Sequence, residues 1–407
     1  AAFGLYLFAR RWGSARQAAW AVLLVATQPF FFLAAQFANL DMLVAGCISA
    51  AVLLATHAML LLEQKHPYRL PLVLAYAMAA VGVLAKGLIG AVLPAGVLLG
   101  WILSMKRPGL ALKLVSVPGL LVFLLIGLPW FAEMQQRYSG FFDYFVVYHH
   151  FRRFSQEGFN NQQPVWFYPA VVLLLTLPSS LLLRHALKVR SAAEPAPLSL
   201  PALMWCWLGF VIVFFSLPKS KLVGYVLPAL PPLAWLLAAG LLHHVKPHRA
   251  TRWGIVGAGA LIALSGVAVL ALSHPNSAKP LGLALRQQRH SGEPVVFLDR
   301  YPFDLPFYAR LEVDPVVTGR WQGQDVARDN WHKELSDASR FAPTVGAERL
   351  IPPEALSPLL CHAHTVWLVG TRQEIDALGT TAQSAEIAHT RETSLWKAAA
   401  AAGACSR

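Results

Sequence analysis

The residues that could do chemistry sit in a few short stretches of an otherwise apolar chain. The densest is Phe214 to Pro232, FFSLPKSKLVGYVLPALPP, where Lys219, Ser220, Lys221, Gly224 and Tyr225 separate two hydrophobic runs, Ala202–Leu217 and Val226–Leu242. The runs read as a transmembrane hairpin with a tight basic turn. A lysine at mid-bilayer costs roughly 3 kcal/mol, so both lysines mark an interface. Their chemistry would be capture of a phosphate or pyrophosphate, for which lysine serves as a point charge; the plain alternative is two lysines snorkelling to headgroups. Alternate residues of a turn can face one side, so Lys219 and Lys221 are expected to point inward together. Tyr225, one turn into the next helix, would offer its hydroxyl to the same phosphate or stand in an aromatic belt.

Three more stretches join this one. Asp41, in FANLDMLV, starts a span. It either caps that helix or presents a carboxylate to a cavity. Lys86, in VLAKGLIG, lies between two apolar runs with Gly87 beside it, and reads as a phosphate contact or a snorkelling lysine. Tyr148 to Phe154 reads YHHFRRF. On a helix His149 shares a face with Arg152 or Arg153. His149 and His150 are adjacent and point apart, so a paired chelate is not expected, while one of them with a distant carboxylate is a metal option. An amphipathic interfacial helix is the other reading of this segment.

The elements that must position these groups follow from composition. The 407 residues are 56% hydrophobic and 14% charged, which points to a polytopic α-helical membrane protein. About ten hydrophobic segments are expected in residues 1–272: Ala1–Phe8, Ala18–Ala35, Met42–Leu62, Leu70–Ala85, Leu88–Ser104, Leu114–Phe131, Trp166–Leu183, the two hairpin runs and Trp253–Leu272. Ala132–Val165 is the one long polar insert. Alternate loops hold 14 Lys and Arg on one side and 6 on the other. The positive-inside rule puts the richer set in the cytoplasm. Asp41, Lys86, the insert, Lys219, Lys221 and the tail then share the opposite face. The net charge of +13 belongs to those cytoplasmic loops and implies no nucleic-acid partner. Ala1–Phe8 reads as the end of a membrane helix, so upstream helices are expected to be missing.

Residues 273–407 are a different material, expected to form a small α/β domain. Pro294–Asp299, VDPVVTG and HTVWLVG read as strands, Asp304–Leu311 and Asp325–Ser339 as helices, and Ala398–Ala402 as a frayed low-complexity end. The tail shows no Gly-rich nucleotide loop and no metal cluster. Cys361 and Cys405 would pair only in an oxidising compartment.

Taken together, Asp, Lys, His, Arg and Tyr on one face of a helical bundle suit a transferase that uses a polyprenyl-phosphate sugar. Fixed cations and a hydroxyl would stabilise the charge that grows on the leaving phosphate. Apolar grooves would hold the lipid tail.

Five motifs in order, FANLDMLVAGCISAA, GVLAKGLIGAVLPAGVLL, GLPWFAEMQQRYSGFFDYFVVYHHFRRF, PVWFYPAVVLLLTLP and FFSLPKSKLVGYVLPALPPLA, resemble the bacterial aminoarabinose transferases. These are related to the protein O-mannosyltransferases and have the GT-C glycosyltransferase fold. The resemblance covers about residues 1–272. It implies a GT-C-like bundle with a periplasmic C-terminal domain in the bacterial inner membrane. It also implies inverting transfer of aminoarabinose or a similar sugar from undecaprenyl phosphate to lipid A or another periplasmic acceptor. Lys86, Arg153 and Tyr225, with Lys219 and Lys221 added from the turn, are the implied donor-phosphate residues, with Asp41 lining the cavity. The catalytic carboxylate of the family would lie upstream of residue 1. The family pattern carries a histidine where this chain has Tyr148, so a divalent metal, the one cofactor left open, would fall to His149 or His150. A polyprenyl-phosphate-lipid transporter or flippase is the reading from another class, and it would be expected to show internal repeats. An inert lipid-binding scaffold is the third.

Overall fold

The computed structural model describes residues 1–37, 39–152, 161–188, 198–243, 249–273, 277–323, 326, 330–378 and 382–400; the side chains at 149–152 are not among what it describes. The chain divides into two compact units, Ala1–Glu157 with Asn161–Ala271, and mainly Leu272–Arg407.

The first unit is all-helical. Leu40–Glu63, Arg69–Lys86, Val117–Arg137, Val223–Leu242 and Ala250–Ser273 are each long and apolar enough to cross a membrane. Ile89–Ser104 and Leu200–Ser216 are shorter apolar helices. The helix Leu230–His243 is apolar all round, and Leu230, Leu236 and Leu237 are fully buried, so it forms the middle of the bundle. Val117–Arg137 and Arg249–Ser273 instead leave large apolar side chains outward, such as Leu125 and Leu272, as a hydrocarbon environment requires.

Two expected spans are broken. Ala18–Ala35 is two helices, Ala15–Thr27 and Pro29–Ala34, because proline opens a new helix but cannot continue one. Trp166–Leu183 becomes Phe167–Leu175 and Ser179–Ala186, bent by 103° around Pro178. The two breaks meet: the buried Gln28 amide donates to Ser179 Oγ at 3.2 Å. The Ser179 hydroxyl in turn donates to the Thr176 carbonyl at 2.7 Å, a backbone group at the break. The polar insert is also shorter than expected at its start. The helix Val117–Arg137 runs into it, and a π-helix follows at Asp143–Arg152.

The second unit holds a six-stranded sheet in the order β3-β2-β1-β4-β6-β5. Its strands are β1 Val295–Leu298, β2 Val316–Thr318, β3 Leu350–Ile351, β4 Val366–Gly370, β5 Ala382–His389 and β6 Ser394–Ala400. β1 to β4 pair in parallel, while β6 runs antiparallel to both β4 and β5. β1 and β4 are buried on both faces, which is why VVFL and VWLVG carry no polar alternation. Val295 and Phe297 meet Leu281 and Leu285 of the helix Lys279–Gln288 on one face. Val296 and Leu298 meet Leu356 and Leu360 on the other. The frayed end expected from Ala398 is corrected: residues 398–400 belong to β6, and Ala398 is 2% exposed. Ladder bonds to β4 and β5 hold what composition alone makes look loose.

Candidate functional site

The basic turn is clasped by a second segment. Ser220 bridges Gln162 in an antiparallel pair. The Gln163 amide donates to the Lys219 carbonyl, and the Lys221 amide to the Asn161 carbonyl, each at 3.0 Å. The Lys221 ammonium turns into this clasp. It donates to the Gln163 carbonyl at 2.7 Å and to the Pro218 carbonyl, and the residue is only 3% exposed. Burial pushes its pKa below the ordinary lysine value. Tyr168 closes the other side by donating its hydroxyl to the Leu222 carbonyl at 3.0 Å.

The expectation that Lys219 and Lys221 face one side together is therefore corrected: Lys219 is exposed and Lys221 is buried. The reason is the carbonyl demand of the clasp. Backbone oxygens turned inward at Pro218 and Gln163 need a donor, and an ammonium with three N–H groups supplies it. Lys221→Met is accordingly expected to lower stability by about 1.5–3 kcal/mol, the worth of hydrogen bonds to a charged group. Its donor affinity should stay within about twofold of the parent, given that typical phosphate contacts cost far more. Thermal melting beside donor titration checks this, and a variant that melts like the parent but binds donor poorly would return Lys221 to the phosphate.

Three expected residues do come together. Asp41 lies in the first turn of Leu40–Glu63, but it is not the cap. Asn39 is the cap, its side chain accepting from the Asp41 and Met42 amides at 3.0 and 3.3 Å. Asp41 is thus released for another task, and its carboxylate pairs with the Lys86 ammonium. Lys86 is the last residue of Arg69–Lys86, and Gly87 ends that helix at φ 80, a left-handed conformation suited to glycine. The next helix folds straight back. A Cβ on Gly90 would lie 2.3 Å from the Gly82 carbonyl carbon, so this close approach requires glycine at 90. The ammonium also lies 4.7 Å from the centroid of the Tyr225 ring, a cation–π contact. Tyr225 stands in a 3-10 turn, Val223–Ala229, and its ring packs on Phe215 with centroids 5.5 Å apart.

Gly224 completes the arrangement. In the structure it makes room for Asp41, whose Oδ2 would be 2.4 Å from a Cβ at that position. The product is one carboxylate, one ammonium and one phenol ring gathered from three elements. Among the groups available, the ammonium is the one an incoming phosphate would take, and the carboxylate holds it in place beforehand.

The remaining expected residues are placed as follows. Arg153 lies outside the described residues, as do the side chains of His149 and His150 on the π-helix. Among the described residues no group of three or more His, Cys, Asp and Glu could hold a metal ion. Cys47 and Cys206 are free thiols, and Cys405 lies outside the described residues.

Comparison with known proteins follows the same line. Residues 2–145 match the family model of dolichyl-phosphate-mannose-protein mannosyltransferase. The undecaprenyl phosphate-alpha-4-amino-4-deoxy-L-arabinose arabinosyl transferase of Pseudomonas aeruginosa (strain LESB58) is 31% identical over 278 residues, covering 66% of this chain and 49% of that protein. The enzyme of the same description from Shewanella sediminis is 34% identical over 154 residues, 38% of this chain and 28% of that protein. The matches thus span half or less of these relatives' length. Among solved structures, ArnT from Cupriavidus metallidurans bound to undecaprenyl phosphate superposes with a TM-score of 0.78 at 22% identity, over 97% of this chain and 81% of that one. Its apo form gives 0.76. The motif resemblance stands: the chain is similar in sequence to the aminoarabinose transferases and the protein mannosyltransferases, and it has the GT-C membrane fold.

Proposed function

We propose that the chain works as the membrane part of a polyprenyl-phosphate-sugar-dependent glycosyltransferase. It would move aminoarabinose or a similar sugar from undecaprenyl phosphate to lipid A or another acceptor, with inversion. The observation that carries this is the convergence of Asp41, Lys86 and Tyr225 beside Gly224. The names of the similar enzymes support the same donor and sugar class.

The chemistry asked of these residues is modest. An oxygen of the acceptor attacks the anomeric carbon of the donor sugar. The bond from that carbon to the polyprenyl phosphate oxygen breaks, and its electron pair leaves with the phosphate. Lys86 shifts from Asp41 to the phosphate oxygens and stabilises the charge that grows there. The Tyr225 hydroxyl donates to the same group. Lys219, exposed on the turn, adds long-range attraction. Arg153 and a divalent metal at His149 or His150 remain part of the proposal from the motif resemblance alone.

The assay that tests this uses the full-length protein with labelled polyprenyl-phosphate sugar and lipid A. Release of polyprenyl phosphate with label on the acceptor is the expected result. Lipid movement without bond cleavage would replace the reading by a carrier, and lipid binding alone by a scaffold.

The proposal includes orientation. The split of 14 to 6 in loop Lys and Arg supports a site and a C-terminal unit on the periplasmic side of the inner membrane. A reporter active only in the cytoplasm, fused after Arg407, should be silent; activity there would reverse the assignment.

A further inference from the structure

The 272–407 unit contains a cavity of about 910 Å3 that the transfer chemistry above does not use. That volume is of the size that holds small molecules. Its place follows from the sheet. In the order β3-β2-β1-β4 the chain builds outward from β1 on one side and then returns to pair β4 on the other. In open parallel sheets ligands bind beyond the carboxyl ends of the strands at such a reversal. Arg300 and Tyr301, which follow β1, line the cavity.

The wall is built rather than incidental. Arg300 ties the segment after β1 to the β5–β6 turn. Its guanidinium donates to Thr393 Oγ1 at 2.8 Å, to the Glu392 carbonyl at 3.2 Å and to Glu374 Oε1 at 2.9 Å. Arg300 is therefore committed to holding the shape. Lys279 and Arg391 also line the cavity, and both are exposed. Glu392 is the one acidic side chain among the described lining residues. Tyr301 and Trp331 add aromatic rings to the lining. Burial, helped by the charge of Asp314, pushes the Tyr301 pKa up, so its hydroxyl stays a donor at neutral pH.

Cations, hydroxyls and aromatic rings in one cavity select for a ligand with both an anion and a polar ring. A dinucleotide is disfavoured, because the segment after β1 reads Asp299-Arg300-Tyr301-Pro302 and lacks the glycines that let a pyrophosphate approach the backbone. We propose that this cavity binds a phosphorylated sugar, its phosphate held by Lys279 and Arg391 and its ring lying against Tyr301 and Trp331. The binding does not depend on the transfer reading; within that reading the cavity would receive the phosphorylated sugar headgroup of an acceptor.

The test is calorimetric titration of the full-length protein in detergent with glucose 1-phosphate, glucose and inorganic phosphate. Glucose 1-phosphate is expected to bind at least about tenfold more tightly than either alternative, a difference of about 1.4 kcal/mol. Lys279→Gln with Arg391→Gln should lose at least about tenfold in that affinity, within the range for charge-assisted contacts. Both residues are exposed, so the melting temperature should hold, and Arg391→Lys should retain most of the binding. Lys86→Met combined with Asp41→Asn, in the other unit, should leave it unchanged even where transfer is slowed. Micelles doped with a phosphorylated glycolipid then separate the sources. Displacement of glucose 1-phosphate assigns the cavity to a lipid headgroup, and its absence assigns it to a free sugar phosphate. Equal binding of glucose and glucose 1-phosphate overturns the proposal. So do parent-like affinity in Lys279→Gln with Arg391→Gln, loss of binding in Lys86→Met with Asp41→Asn, and no saturable binding at millimolar ligand.

Discussion

Lys86→Met is expected to slow sugar transfer by about 10- to 150-fold, the kinetic equivalent of one charge-assisted hydrogen bond worth roughly 1.5–3 kcal/mol. The difficulty in reading such a result is Asp41. Its side chain is 15% exposed and that of Lys86 27%, so the pair is largely withdrawn from solvent. Taking away the lysine alone leaves a carboxylate without its counter-charge, which destabilises the fold as well as the site. The informative variant is therefore Lys86→Met combined with Asp41→Asn, which removes both charges and keeps the volume. That protein should melt close to the parent and still transfer slowly, because the ammonium of Lys86 is no longer there to meet the phosphate. Rates at saturating donor, donor affinity and melting temperature together decide it. A double variant with the parent rate would reduce the pair to a helix–helix brace.

Gly224→Ala is expected to have the second largest effect, from a single methyl group. The new Cβ would lie 2.4 Å from Asp41 Oδ2, 2.9 Å from its Cγ and 3.1 Å from its Cβ. Turning the carboxylate aside relieves only the first two contacts, so the turn must also move. Overpacking of this kind typically costs about 1–3 kcal/mol. Because the displaced carboxylate is the one that holds Lys86, transfer should fall by about tenfold or more, a loss of roughly 1.4 kcal/mol in transition-state binding. Asp41→Ala in the Gly224→Ala background removes the two shortest contacts and leaves only the 3.1 Å approach to the Cβ. It should restore most of the stability without restoring the rate, and a double-mutant cycle isolates that coupling. Parent-like transfer by Gly224→Ala would show that the carboxylate beside this glycine has no part in turnover.

Much of this site could be read from the chain because loop parity is a long-range constraint. Once alternate loops are sorted by Lys and Arg, Asp41, Lys86 and Tyr225 must reach the same side, and the structure brings these three into contact. β1, β2 and β4 were equally plain, since strands buried on both faces are unbroken apolar runs. What stayed hidden depended on partners distant in sequence. Lys221 is turned inward by carbonyls at Pro218 and Gln163, and Gln163 is 58 residues away. Residues 398–400 look frayed until β4 and β5 stand on either side. Asn39 was a signal available in the sequence: an N-cap residue type two positions before Asp41 already relieves the carboxylate of capping. The broken helix at Gln28–Pro29 was legible too, because a proline inside an apolar run ends one helix and starts another.

The sheet of the second unit also bears on how densely this protein can be packed in a membrane. A chain confined to two dimensions meets its own copies often, and an open sheet edge is a template for strand addition between copies. Both margins here are poor templates. β3 contributes only Leu350 and Ile351, too short a row to recruit a neighbour. β5 is longer but its register slips between Glu386 and Ala388, and an irregular strand twists out of line with any straight partner. Crowding should therefore leave these sheets as separate bodies rather than joining them edge to edge into a continuous ribbon.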